Sequence, residues 1–253
     1  MKTAISLIDL FKRGCHKGRS KSKTFPKMSP YVYGYSRGMS IIDLVQTKEG
    51  MDKALDFIYR LGETNRQILI VGTSRHISDL VVNYSAKMGT GMPFVSWRWL
   101  GGTLTNWDTI RKTLKTLSKL KALRDDVEEF ATLKKKEKLS IDRKIQNLEL
   151  IFGGLTILKN NRPAAILVLD PTKDDLAVKE AGDISVIGLA NTNENPEGIN
   201  YLIPSNTYSR AFIDFFLEKA VESYNAGQEA RAKAVTEAAN TPRVAAPQVA
   251  KAA

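Results

Sequence analysis

What most constrains this chain is the spacing of its short Ile/Val-rich runs. They fall at "SIIDL" (40–44), "QILIVG" (67–72), "PFVS" (93–96), "AAILVLD" (164–170), "VIGLA" (186–190) and "YLIP" (201–204), with longer amphipathic stretches between them. That alternation predicts parallel strands joined by crossover helices. "QILIVG" and "AAILVLD" are apolar on both alternating faces, as strands covered by helices on each side must be. Helical periodicity runs through 48–62, 75–88, 173–182 and 207–226, as at Leu55, Ile58, Tyr59 and Leu61. Thr73 or Ser74, and Ser205 or Asn206, stand where N-caps of the second and fourth of these helices belong. The expectation is a three-layer α/β domain.

One crossover is too long for that scheme. Thr103 to Leu158 is 56 residues without a strand signal, where a whole crossover unit takes about 12 or more. Apolar residues recur at Ile110, Leu114, Leu117, Leu120, Leu123, Val127 and Phe130, and again at Ile141, Ile145, Leu148, Phe152 and Leu155. The second series has the 4-3-4-3 spacing of a coiled-coil seam. With "KKKEK" (134–138) at the reversal, the segment predicts two antiparallel helices of about 25 residues, projecting roughly 35–40 Å.

Charge points to the class of partner. The formal net charge is +11, and residues 1–40 hold nine Lys/Arg against Asp9 alone. A surplus of this size favours a polyanion. The run "KGRSKSKTFPKMSPYVYGYSRG" mixes cations with Phe25, Tyr31, Tyr33 and Tyr35, so nucleic-acid bases or sugars could meet ring faces where phosphates meet charges. These aromatics sit in a Pro/Gly-rich stretch and not along an apolar helix face, which disfavours a membrane surface. No apolar run approaches the roughly 20 residues of a membrane span, and "MKTAISLIDLFKRG" reads as an amphipathic helix and not as a signal peptide. The single cysteine, Cys15, excludes an internal disulfide and fits a reducing, cytosolic compartment. Cys15 and His16 lack further ligands near them in sequence, so a packed thiol and a hydrogen-bonded ring are expected in place of a metal site.

Signs of chemistry are sparse. The chain has no GxGxxG after a strand and no GxxxxGK[ST]. Gly72, Thr73, Ser74 and Arg75 end a strand where backbone N–H groups can hold a phosphate, and Asp170 follows another strand with Asp174 and Asp175 close behind. A nucleotide or sugar-phosphate enzyme is therefore the alternative reading. The favoured one has Asp170 capping its turn and Asp174 and Asp175 favouring a helix N-terminus, because no base, nucleophile or phosphate loop accompanies them. "NTNENPEG" (191–198) reads first as turn chemistry.

All three tryptophans lie in "VSWRWLGGTLTNW" (95–107). Trp97, Trp99 and Trp107 are expected to anchor the root of the helical insertion, with Gly101-Gly102 supplying an uncommon turn. Arg98, Thr105, Asn106, Arg111 and Lys112, held among those anchors, are then candidates for gripping a phosphate backbone.

"RWLGGTLTNWDTIRK" (98–112) resembles the signature of the small-subunit ribosomal protein S2 family, bacterial type. The resemblance extends through "GCHKG" (14–18), "PKMSPYVYG" (26–34), "SIIDLVQT" (40–47), "ILIVGT" (68–73), "RPAAILVLDPTKDDLAVKEA" (162–181) and "NTNENPEGINYLIPSN" (191–206), covering about residues 1–228. It implies a flavodoxin-like parallel sheet with an inserted helical hairpin, and a structural protein with neither enzymatic activity nor cofactor. It also implies binding to small-subunit rRNA and to neighbouring ribosomal proteins, among them the mRNA-binding ribosomal protein S1 through the hairpin, with neither membrane nor small-molecule partner. The source is then a bacterium or an organelle encoding its own protein. Departures from the family pattern are Arg19 where a second histidine is common, a shorter loop after Glu180, and Asn191 where an aspartate is typical. The first and last of these remove candidate metal ligands.

The expected organisation is a basic N-terminal helix and arm (1–39), an α/β domain (40–102 and 159–228), an inserted hairpin (103–158) and a disordered tail (229–253). The expected RNA contacts are Lys12, Arg13, His16, Lys17, Arg19, Lys21, Lys23, Lys27, Arg37, Arg75, Arg98, Thr105, Asn106, Arg111 and Lys112.

Overall fold

The computed structural model describes residues 5–126, 130, 132–158 and 162–240, with side chains described up to 236. In chain order the elements are α1 (Leu7–Lys12), β1 (Lys17–Ser20), β2 (Val32–Ser36), β3 (Met39–Ile42), α2 (Leu44–Glu63), β4 (Ile68–Val71), α3 (Ser78–Lys87) and β5 (Phe94–Val95). They continue with α4 (Trp107–Asp125), α5 (Lys135–Phe152), β6 (Ala165–Val168), α6 (Asp175–Ala181), β7 (Ser185–Ala190), β8 (Tyr201–Pro204) and α7 (Arg210–Asn240). Strands β4 to β8 form one parallel sheet in the order β5-β4-β6-β7-β8. The flavodoxin-like α/β expectation holds.

The sheet buries both faces, as its unbroken apolar runs require. Ile68 and Ile70 of β4 enter a core shared with α2, α3 and α7, while Leu69 and Val71 enter a second core with α4, α5 and α6. The two long helices of the first core meet very closely. A Cβ on Gly62 of α2 would overlap the Tyr224 carbonyl of α7, and one on Gly227 would overlap the Tyr59 carbonyl. Only glycine permits that approach.

Strand "SIIDL" departs from expectation. Met39–Ile42 does not join the parallel sheet; it pairs antiparallel with β1 and β2 in a separate three-stranded sheet of order β1-β3-β2. The mostly polar β1 and the glycine-split β2 carried no period-2 signal to announce them.

The insertion contains two packed helices, α4 and α5, and Lys121 Nζ of α4 lies 2.5 Å from Glu149 Oε1 of α5. Ile110, Leu117, Ile145 and Phe152 are the buried residues of these two helices, and Leu155, also buried, closes the second series in a 3-10 turn, Gly153–Ile157. The expected reversal, 134–138, is instead the N-cap and first turn of α5, and Val127 of the first series lies outside the described residues. At the other end of the chain, α7 runs to Asn240 and does not fray after Gln228. Ala230, Arg231, Ala232, Lys233 and Ala234 are strong helix formers, which sustains it without burial. The rest of the expected tail, 241–253, lies outside the described residues.

The expected N-caps are corrected. α3 starts at Ser78, after a turn in which the Ser74 carbonyl accepts from Ile77 and Ser78 at 3.0 Å each. Thr73 and Ser74 are occupied elsewhere, as described below. Ser205 donates to the Ile203 carbonyl, and Asn206 Oδ1 accepts from Tyr208 N at 3.1 Å, a turn that precedes α7 without capping it.

Candidate nucleic-acid interface

The arm lies across the carboxyl ends of β7 and β8. Arg19 N donates to Thr192 Oγ1 at 2.9 Å and Phe25 N to the Thr192 carbonyl at 2.7 Å, while Asn206 N donates to the Cys15 carbonyl at 3.1 Å. Burial pushes the Cys15 thiol up to about 12, so it stays a neutral packing group.

Pinned in this way, the arm divides its cations into two kinds. Lys12, Lys17, Lys21, Lys23 and Arg37 are exposed, and Lys21 Nζ stands 5.0 Å from the Tyr35 ring centre. Tyr33 is 80% exposed, unusual for a ring of that size. Arg13, Arg19 and Lys27 are instead committed to the protein. Arg13 lies over the Phe215 ring at 4.3 Å and donates to the Ala211 carbonyl, Arg19 lies over the Tyr208 ring at 3.7 Å, and Lys27 pairs with Glu197. His16 stacks on Phe11 at 4.3 Å; burial, then the Lys17 charge, lowers its pKa and favours the neutral ring.

The second group surrounds the turn between β5 and α4. Trp99 is 6% exposed and Trp107 packs against the second core, but Trp97 is 53% exposed and anchors nothing there. Gly102 takes a φ of 86°, the left-handed conformation expected of the Gly-Gly pair. Glu180 on α6 holds this turn. One carboxylate oxygen accepts from Gly102 N at 2.7 Å and Trp99 Nε1 at 3.4 Å, and the other from Leu104 N at 3.1 Å. Sequence reading passed over Glu180, since nothing local to it signals partners more than seventy residues away. Arg98, Thr105, Asn106, Arg111 and Lys112 are all exposed around this root. Asn106 turns its own side chain to Thr109 Oγ1 at 2.9 Å.

The two groups do not form one cluster. The arm covers the β7–β8 flank and the turn follows β5, at the far end of the sheet order. Arg75, exposed after β4, belongs with neither group.

The profile of a family described as Ribosomal protein S2 matches residues 10–227. The chain belongs to that family. Among curated relatives, small ribosomal subunit protein uS2 of Francisella philomiragia is 36% identical over 238 residues, covering 91% of this chain and 98% of the relative. The protein of the same name from Francisella tularensis subsp. novicida is 37% identical over 217 residues (85% and 89%), and that from Psychrobacter cryohalolentis 35% over 229 residues (90% and 85%). This is a family of structural, non-enzymatic ribosomal constituents, and the nucleotide-enzyme alternative is not supported.

The carboxyl edge of the sheet explains physically why an S2 fold of this sequence is no phosphate site. Thr73 donates through Oγ1 to Asp174 at 2.7 Å and through N at 3.2 Å, and Ser74 Oγ donates to Asp170 at 2.7 Å. Both hydroxyls and the Gly72 and Thr73 N–H groups of this turn are satisfied internally, and α3 begins too late to add its N-terminus. Asp170, Asp174 and Glu194 are all buried there. Burial first, then the charge of Asp170, pushes Glu194 up to about 8; burial also raises Asp174. Asp170 begins a turn whose Lys173 and Asp174 N–H groups donate to its carbonyl, and Asp174 and Asp175 stand at the N-cap and first turn of α6 as expected, although the Asp174 side chain accepts from Thr73 and makes no capping hydrogen bond. Asp175 forms an i,i+4 pair with Lys179. Asn191 accepts from Thr192 N at 2.7 Å and adds no charge to this edge. Among the described residues, no group of three His, Cys, Asp or Glu is placed to hold a metal ion, and no helix is long and apolar enough to cross a membrane.

Proposed function

We propose that this chain is a structural constituent of the small ribosomal subunit, binding small-subunit rRNA through its basic arm and through the turn that leads into α4. Membership of the ribosomal protein S2 family carries this reading. The five exposed cations of the arm, beside the exposed Tyr33 and Tyr35 rings, support it chemically: phosphates meet charges, and unpaired bases meet ring faces. Arg98, Thr105, Asn106, Arg111 and Lys112 make a second contact at the β5 flank, and Arg75 contributes between the two. Arg13, His16, Arg19 and Lys27 act mainly by fixing the arm's shape. The α4–α5 segment projects as an antiparallel hairpin, and its far end docks a neighbouring ribosomal protein, with S1 the candidate; the Lys121–Glu149 ion pair supports the pairing. The assembled particle is bacterial and cytoplasmic.

The native protein should co-sediment with small subunits and be released by high salt, because cations freed from phosphates drive such binding. Replacing Lys21, Lys23 and Arg37 by Glu should lower incorporation about tenfold or more at fixed salt while leaving thermal unfolding in place. Unchanged incorporation of that variant, and of Arg98→Glu with Arg111→Glu, would overturn the assignment of RNA contact to these residues.

A further inference from the structure

The amino ends of the strands carry a charge cluster of their own. Arg66 precedes β4, Arg162 precedes β6, and a cleft of about 620 Å³ lies between them, bounded by Asn65, Thr90 and Tyr224. A more open cleft of about 550 Å³ shares Asn65 and Thr90 with it and adds Arg231 and Gln228 of α7. No Asp or Glu lines either one. Among the described residues none of these three arginines has an ion-pair partner.

The frame beneath the arginines is fixed. Asn65 ends α2 in the left-handed conformation (φ 50°), Arg66 N donates to the Leu61 carbonyl at 2.9 Å, and the Tyr224 hydroxyl donates to the Arg66 carbonyl at 3.1 Å. Gln228 Nε2 then donates to Asn65 Oδ1 at 2.9 Å, joining α7 to the same loop. Arginines lining two neighbouring clefts without a carboxylate leave positive charge for an anion to neutralise, and their planar forks match phosphate oxygens two at a time. The cleft offers no exposed aromatic anchor of the kind a protein partner buries at its hot spots, since Tyr224 is fully buried. A nucleic-acid backbone fits it better than a protein surface.

We propose that this amino-edge cleft is a further phosphate-backbone contact, gripping an RNA stretch different from those met by the arm and the α4 turn. It rests on the rRNA-binding reading above. The four residues of β4 alone separate the two edges by about 13 Å, so the sheet becomes a spacer between RNA segments.

The test uses the full-length protein, deproteinised small-subunit rRNA and a salt series. Arg66→Gln with Arg162→Gln and Arg231→Gln should weaken binding about tenfold and reduce the slope of log affinity against log salt by about 2–3, roughly 0.7–0.9 per lost phosphate. Hydroxyl-radical footprinting should lose one protected RNA segment while the arm's protection persists, and the melting temperature should stay put. A variant with the wild-type slope and the full footprint overturns the proposal and leaves the rRNA reading standing. Wild-type protein that fails to bind rRNA defeats the underlying reading instead. Unchanged rRNA binding combined with loss of incorporation into subunits would identify an acidic protein as the occupant, and the proposal would again fall.

Discussion

At the carboxyl edge of the parallel sheet, three carboxylates are buried, whereas at the amino edge three arginines line two neighbouring clefts. Open α/β sheets ordinarily take their ligands at the carboxyl edge. Here that edge repels anions and its hydroxyl donors are spoken for, so the fold's customary pocket has become a structural joint. Exposed cations stand instead on surfaces that the topology would not have singled out: an appended arm, the root of an insertion, and the far edge of the sheet.

The contrast can be broken at several points. The largest effect is expected at the amino edge, where the α2–α7 crossing supports the cleft. Gly227→Ala should cost about 3 kcal/mol in a denaturant melt, because backbone must move to admit the methyl group. At the carboxyl edge, a carboxyl raised from 4.5 to about 8 contributes most to stability below 4.5 and loses that contribution as pH climbs towards 8. Glu194→Gln removes the ionisation. It should therefore gain on wild type progressively between pH 5 and 8, and parallel pH profiles of the melting temperature would refute the burial assigned to Glu194. Glu180→Ala should cost about 1–2 kcal/mol by stripping three donors of their acceptor, and hydrogen exchange at Gly102 and Leu104 should quicken. The smallest change sharpens the comparison: Arg66→Gln should alter stability by less than about 0.5 kcal/mol, as befits an exposed cation without a structural partner.

The parallel strands were legible as unbroken apolar runs at Ile68–Val71 and Ala165–Val168, and most helices through a period of 3.6, as at Leu55–Leu61. The arm's small sheet was not, since four-residue polar strands such as Lys17–Ser20 are specified by their neighbours and carry no pattern of their own. Thr73 and Ser74 misled for a related reason: their capping propensity is local, but carboxylates about a hundred residues away claim them. Trp97 was expected to anchor the root because it lies in one run with Trp99 and Trp107, but it is exposed, whereas Trp99 is buried and Trp107 partly buried. Among site residues, the arm's cations were found through composition alone. Arg66, Arg162 and Arg231 share no motif, and crossover topology is what assembles them.

Glu180 has a mechanical meaning beyond the energy of its hydrogen bonds. It fastens the turn from which α4 departs, and α4 is 19 residues long, a rod of about 28 Å. A rod of that length turns a play of about 5° at its root into about 2.5 Å at its far end, enough to misalign a hydrogen-bonded contact. The direction in which α4 is aimed thus depends on one carboxylate of the α/β body together with the packing of Trp107 and Ile110 on the second core, and loosening that clasp would swing the helix without altering any residue along it.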